Sequence, residues 1–352
     1  MAFRTVPIPL EVYIKKGAIK NVRKVVEKFG SRNLVLLTDE VVYKIVGGKL
    51  ETELAEYYSI NKFFVNRASM DEAKKIVMEI SFSDVELVIG LGGGKVIDVS
   101  KVVSTELNVP FISIPTTASH DGIASPVASF KENGKPISIT TNPPAAVIAD
   151  IEIIKNAPIR LLRSGYGDLI SNITAVKDWQ LARDKIGESY SEVAASIAII
   201  PAELVISEAK NFDLLDDAYI TKLVRGLIMS GVSISIVGSS RPASGAEHKF
   251  SHSIDYLGYG NGLHGEQVGI GTIIMEYFYE KAYGNGDFCL VRGSLRKIGA
   301  PTAAAEIGLT KEQVIEALMY AKKIRRKRYT ILEDLNPTKA EFEKAVEETK
   351  VA

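Results

Sequence analysis

Cysteine is nearly absent. The single Cys289 excludes an intrachain disulfide and suits a reducing compartment, so a cytoplasmic chain is expected. Neither sign of charge is in excess. Lys plus Arg and Asp plus Glu both total 43, which removes the overall field that would draw the chain to nucleic acid or an anionic membrane. Long apolar runs are missing too. The longest weakly charged stretch, Leu227 to Gly238 (LIMSGVSISIVG), is short and holds Ser and Gly, which reads as a buried helix. The opening MAFRTVPIPLEVYIKKG has early prolines and charges and no apolar core, against a signal peptide. Nucleic-acid binding and membrane insertion are therefore not expected. Histidine is also scarce, with four in 352 residues, yet three of them are His248, His252 and His264.

What is present is an ordinary globular balance, 46% hydrophobic and 24% charged, at a length that exceeds what one core usually serves. Up to about Asp150, β-rich runs (Leu34 to Leu37, Phe63 to Val65, Leu87 to Gly90, Phe111 to Ile114, Ala146 to Ile148) alternate with helical patterns (Ile19 to Phe29, Asp71 to Ile80, Val96 to Leu107). Continuous apolar strands alternating with helices imply a parallel, Rossmann-like sheet covered on both faces. Asn133-Gly134, between the strand-like runs of Phe130 to Thr141, predicts a β-hairpin. After Asp150 the periodicity is helical, over Leu161 to Lys185, Ser189 to Lys210 and Asp217 to Val237, as in an all-α bundle. Pro158 in Asn156-Ala157-Pro158 stops a continuous helix, so the expected domains are residues 1–156, α/β and dinucleotide-binding, and 157–352, all-helical and metal- and substrate-binding. The basic run Lys322 to Arg328 could bind an anion, but a solvated helix face is the reading that outweighs it.

Val88-Ile89-Gly90-Leu91-Gly92-Gly93-Gly94-Lys95-Val96-Ile97-Asp98 is a buried strand, a glycine cluster and a helix start. Backbone can approach a ligand closely there, and a helix N-terminus favours a pyrophosphate. The cluster does not complete the G-x-G-x-x-G fingerprint, so a purely structural turn competes evenly. Pro115-Thr116-Thr117-Ala118-Ser119-His120-Asp121-Gly122 follows the strand FISI, where ligands of parallel sheets sit. Its hydroxyls suit phosphate or ribose and Asp121 suits a substrate hydroxyl; a capped polar loop is the bland reading. Asp39, after the first apolar strand, suits an adenosine ribose or, equally, a helix N-cap.

His248 and His252 stand at i,i+4, one face of a helix, and His264 enters the next apolar helix. Asp168, in Gly165-Tyr166-Gly167-Asp168, reads as opening another helix. A carboxylate and two imidazoles make an acceptable three-ligand divalent site with one open position. Spacing alone favours the His248–His252 pair and does not choose among the three histidines.

Together these segments resemble the superfamily containing 3-dehydroquinate synthase, glycerol dehydrogenase and the iron-type alcohol dehydrogenases. The resemblance rests on Gly92 to Asp98, on Pro115-Thr116-Thr117 and on the downstream Asp and His residues, and spans nearly the whole chain. Thr116 to Pro126 (TTASHDGIASP), Gly165 to Asp168 and Arg241 to His248 (RPASGAEH) are similar to its glycerol-1-phosphate dehydrogenase branch. The resemblance implies a dehydroquinate synthase-like fold, NAD(P), and one Zn2+ per subunit held by Asp168, His248 and His264. It implies cofactor contacts from Gly92, Gly93, Gly94, Lys95, Val96, Ile97 and Asp98, from Thr116, Thr117, Ala118 and Ser119, and from Ser125. Asp121 and His252 become catalytic, substrate-contacting residues, with Asp168 also facing substrate.

The implied reaction is reversible reduction of dihydroxyacetone phosphate to sn-glycerol 1-phosphate, feeding archaeal membrane-lipid backbones. A glycerol dehydrogenase acting on unphosphorylated polyol and a 3-dehydroquinate synthase-like cyclase are the enzymatic alternatives; a scaffold that has lost its chemistry is the third. Arg241 is a candidate for the substrate phosphate, or else pairs with a carboxylate. The large apolar helical half predicts a homo-oligomer.

Overall fold

The computed structural model describes residues 6–80, 84–132 and 135–352. It divides into two compact units, Met1–Pro158 and Ile159–Ala352.

The first unit is built on β1 (Glu11–Lys15), β2 (Asn33–Thr38), β3 (Ser59–Phe64), β4 (Leu87–Gly92), β5 (Phe111–Pro115) and β8 (Ala146–Asp150), a parallel sheet of order β1-β8-β5-β4-β2-β3. The continuous apolar runs follow from burial on both faces. In β2, Leu34 and Leu36 enter one core with Val22, Val26, Leu50 and Ile89, while Val35 and Leu37 enter the other with Ile76, Val96 and Val99. The helices are α1 (Val22–Phe29), α2 (Glu40–Val42), α3 (Gly48–Ala55), α4 (Met70–Ile80), α5 (Gly94–Leu107) and α6 (Ile151–Lys155). The strand β1 was missed from sequence because Glu11 and Lys15 break its apolar pattern; it is an edge strand, paired only with β8, where charge is tolerated. An antiparallel hairpin of β6 (Val127–Glu132) and β7 (Lys135–Thr140) stands outside this sheet. The expected Asn133-Gly134 turn lies outside the described residues, as do the first five residues of the N-terminal segment.

Every described element of the second unit is helical: α7 (Ile159–Ile170), α8 (Asn172–Ile186), α9 (Glu192–Ser207), α10 (Asp217–Val237), α11 (Ala246–Leu257), α12 (His264–Tyr283), α13 (Phe288–Lys297), α14 (Lys311–Ala321), α15 (Ile331–Leu335) and α16 (Lys339–Glu348), with short 3-10 turns between. The helix expected over Leu161 to Lys185 is two. At Ser171 the hydroxyl takes the Asp168 carbonyl oxygen at 2.7 Å, a local bond that competes with the helical ladder. By length and composition α10 could cross a bilayer, which the shorter stretch read from sequence understated; here it packs on α9 and α7 with Leu223, Val224 and Leu227 buried. The basic run does not form a helix face. The helix α14 stops at Ala321, Arg325 adopts a left-handed φ of 43°, and Arg325 and Arg328 turn inward to Ser240 and Ser244.

Candidate functional site

In the first unit, the glycine turn and the second loop share the carboxyl edge of the sheet. Gly92 of β4 is level with Pro115 of β5, and the Thr116 N–H donates to the Gly92 carbonyl at 3.0 Å. No side chain caps α5, so its first turn offers backbone donors at the end of β4. The Val96 and Ile97 side chains point into the core, and Asp98 is committed to buried Lys101 at 2.9 Å and to the Ser129 N–H at 3.2 Å. Contacts from this helix turn to a ligand would therefore run through its main chain. A Cβ on Gly94 would lie 2.3 Å from His120 Nε2, so a side chain there would displace the imidazole that the second loop lays over the first. That packing role of His120 was invisible in the sequence. Of the second loop, Thr116, Ala118 and Ser125 are buried and Thr117 and Ser119 half-buried; Asp121 begins a 3-10 turn. Asp39 caps α2, its Oδ1 accepting from Val41 N and Val42 N at 3.0 Å.

In the second unit, α7, α11 and α12 bring Asp168, His248 and His264 together, with one ligand atom from each within 4.8 Å of the others. Asp168 Oδ1 is 3.8 Å from His248 Nε2 and 3.5 Å from His264 Nε2. Asp168 does not open a helix as expected but sits near the end of α7, which runs through Gly165 and Gly167. Gly167 serves helix contact: a Cβ on it would lie 2.2 Å from the Gly265 carbonyl oxygen, and one on Gly265 would lie 1.8 Å from that of Ser164. The start of α12 is held by a fork, Arg160 Nε and Nη2 each 2.7 Å from Glu266, whose Oε2 also accepts from Leu263 N at 2.7 Å.

Buried Glu247, which sequence reasoning passed over, backs His248. Its Oε1 accepts from Gly245 N at 2.6 Å and lies 2.8 Å from His248 Nδ1, so with that nitrogen protonated the lone pair is on Nε2, facing Asp168. His264 is placed the same way at a longer 3.4 Å, its Nδ1 toward Ser251 Oγ, which donates to Gln267 at 2.7 Å. Burial, with Arg325 and Arg328 adding, pulls His248 down to about 3, which keeps it in the neutral form that ligates. Burial first, then Arg325 and the other two imidazoles, pull His252 well below its ordinary value. Its ring centroid stands 6.4 Å from that of His248 and 6.2 Å from that of His264, and its buried Nδ1 has no hydrogen-bond partner.

The donor set fits a divalent transition metal. Zinc bonds of about 2.0–2.1 Å in tetrahedral geometry put ligand atoms roughly 3.4 Å apart, close to the separations found. Arg241 is buried and forked onto Glu188, with Nη1 donating to the Tyr329 carbonyl at 2.8 Å, so the carboxylate-paired alternative for this residue is the one observed.

Residues 13–158 match the model of the iron-containing alcohol dehydrogenase family. The chain is 63% identical to the glycerol-1-phosphate dehydrogenase (NAD(P)+) of Archaeoglobus fulgidus over 100% of both chains. It is 45% identical to that of Pyrococcus horikoshii over 97% of this chain and 98% of the relative. The fold is similar to the solved glycerol dehydrogenase of Schizosaccharomyces pombe, with TM-score 0.79 and 22% identity over 99% of this chain and 91% of the other. It is also similar to a 1,3-propanediol oxidoreductase, TM-score 0.79 and 12% identity over 99% and 100%. With 63% identity over the full length of both chains, the chain belongs to the glycerol-1-phosphate dehydrogenase family.

Proposed function

We propose that this protein reduces dihydroxyacetone phosphate reversibly to sn-glycerol 1-phosphate with NADH or NADPH, using zinc held by Asp168, His248 and His264. The observation that carries the reading is the one-carboxylate, two-imidazole cluster in a chain 63% identical, end to end, to a protein named for that activity. That name favours it over a glycerol dehydrogenase or a dehydroquinate synthase-like cyclase.

Bound, the metal supplies Lewis-acid polarisation of the substrate carbonyl and the nicotinamide supplies the hydride. The chain's own residues bind and orient. Backbone N–H groups of the Gly92 to Lys95 turn, those of Val96 and Ile97 being spent on the Gly93 carbonyl, and the hydroxyls of Thr116, Thr117, Ser119 and Ser125 take the dinucleotide. Asp39 offers Oδ2 to a ribose, its Oδ1 being spent on the cap. His252, neutral, presents one donor and one acceptor to a substrate hydroxyl, and its unpartnered Nδ1 is available for that bond. Asp121 keeps its substrate role from its motif. The product's use as a membrane-lipid backbone, a cytoplasmic setting and homo-oligomeric assembly belong to the same proposal.

The test is NADH and NADPH oxidation with dihydroxyacetone phosphate against dihydroxyacetone, before and after chelation, with chiral analysis of the alcohol. Activity should require metal, prefer the phosphorylated ketone and yield the sn-1 product. His264→Ala should lose zinc and turnover together; an active, metal-free variant removes His264 from the mechanism.

A further inference from the structure

Outside the metal cluster, the second unit has one strongly charged concavity, a pocket of about 410 Å3. Its walls carry Arg241, Arg325, Arg326, Lys327 and Arg328, with Ser239 and a single carboxylate, Glu188. That carboxylate is spent on Arg241. Among the described residues, Arg326, Lys327 and Arg328 make no ion pair. Arg328 is half-buried and bonds only neutral acceptors, Ser240 Oγ at 2.9 Å and the Ser244 carbonyl, while Arg325 Nη1 donates to Ser244 Oγ at 2.9 Å. Holding the Arg328 guanidinium partly out of water, against a hydroxyl and a carbonyl, is unfavourable unless an anion joins it. The turn also keeps Arg325 in a left-handed conformation, a strain that persists only where surrounding contacts impose it.

This turn is strapped to the metal-bearing helix. Buried Lys249 of α11 donates to the Arg328 carbonyl at 3.1 Å, and Ser244, which both arginines hold, lies just before the helix turn that carries His248. We propose that Arg325 and Arg328, with Arg326 and Lys327 at the rim, form the subsite for the phosphate monoester of the substrate, while its carbonyl end lies at the Asp168–His248–His264 cluster. The assignment rests on the triose phosphate reading above and names what that reading lacked, the phosphate-binding residues. Planar guanidinium forks match phosphate oxygens bidentately, and a few covalent bonds separate the phosphorus of dihydroxyacetone phosphate from its carbonyl. The electrostatics agree: both guanidiniums act on His248 and on His252, and Arg328 is pulled down by burial and then by Arg325 and Arg241, with Glu247 and Glu188 offsetting only part of this.

The test compares zinc-loaded wild type with Arg325→Gln and Arg328→Gln. Rates are read with dihydroxyacetone phosphate and with dihydroxyacetone, using NADH and NADPH separately, and with inorganic phosphate as a competitor. The subsite predicts a loss of about 100-fold or more in kcat/KM for the phosphorylated ketone, a change under about threefold for dihydroxyacetone, and weaker competition by phosphate. Equal losses on both ketones, or an undiminished preference for the phosphorylated one, overturn it. A loss seen with NADPH but not NADH also overturns it, by assigning the arginines to the cofactor's 2′-phosphate. If the buried-side variants do not fold, the exposed pair Arg326→Ser with Lys327→Ser must still weaken phosphate inhibition several-fold, and an unchanged inhibition constant sinks the proposal. A wild type that never turns over dihydroxyacetone phosphate refutes the activity itself, which is a different result.

Discussion

Adding one methyl group at Gly265 should disturb the metal cluster without touching a ligand. The Cβ of Gly265→Ala would lie 1.8 Å from the Ser164 carbonyl oxygen, and both the obstacle and the carbon bearing it are backbone, so no side-chain rotation relieves the overlap. A tolerable carbon–oxygen separation of about 3 Å parts α7 from α12 by roughly 1 Å. The first of these helices carries Asp168 and the second begins at His264, whose Nε2 stands 3.5 Å from Asp168 Oδ1. Metal–ligand bonds tolerate only about 0.2 Å, so two of the three ligands leave register together. Overpacking costs about 1–3 kcal/mol, against which the gain in helix propensity from Gly to Ala, about 1 kcal/mol, is the smaller quantity. The melting temperature should fall by several degrees at about 2–4 °C per kcal/mol, and zinc retained after dialysis against a weak chelator should fall at least about tenfold. Gly293 of α13 is the matched control: it is exposed and has nothing within 4 Å, so Gly293→Ala should stabilise by about 0.5–1 kcal/mol and leave zinc content alone. A Gly265→Ala protein that melts with the wild type and holds zinc as tightly refutes the packing argument.

Two further outcomes are expected. Glu247→Ala should weaken zinc binding about 10–100-fold in a competition titration, while Glu247→Gln, which keeps an acceptor for His248 Nδ1, should lose far less; equal binding by both variants would show that Glu247 does not orient the ring. Burial, then the Glu247 carboxylate, pushes Asp178 up from 3.8 to about 7. A carboxyl whose folded value is raised contributes most stability below its unfolded value and loses it as pH rises toward the folded one. The stability of wild type minus that of Asp178→Asn should therefore decline between about pH 4 and 7 and be level above. The bond from Ala246 N that the variant loses adds only a constant offset, so a flat difference would show that Asp178 is ionised throughout.

What the sequence made legible is what a repeating environment imposes. The runs at Leu34, Leu87, Phe111 and Ala146 are apolar at every position because both faces of the sheet are covered, and each strand appeared within a few residues of its expected place. The helix Asp217–Val237 was read to the residue, its N-cap Asp216 and terminal Gly238 marking both ends. The edge strand β1 was illegible for the converse reason, since half of its environment is water.

Positions decided by a partner far along the chain were the ones misread. Asp168, just after Gly167, reads as a helix start, yet α7 runs through that glycine, where the absence of a side chain is demanded by Gly265 about a hundred residues away. The run Lys322 to Arg328 looks like a solvated face, since nothing local distinguishes a cation bound for water from one bound for the Ser240–Ser244 turn. His120 and Glu247 carry no signal of their own; each acquires its role from a neighbour, Gly94 or the Nδ1 of His248. The common cause is that propensity and periodicity report solvent on a face, whereas a site is a set of coincidences between elements. It follows that a glycine where helix continues, or a cation run that declines to be helical, is worth reading as the imprint of a distant contact. In this chain those two anomalies lie beside the same histidines: one sets the contact between the helices of Asp168 and His264, and the other holds two guanidinium groups on Ser244, four residues before His248.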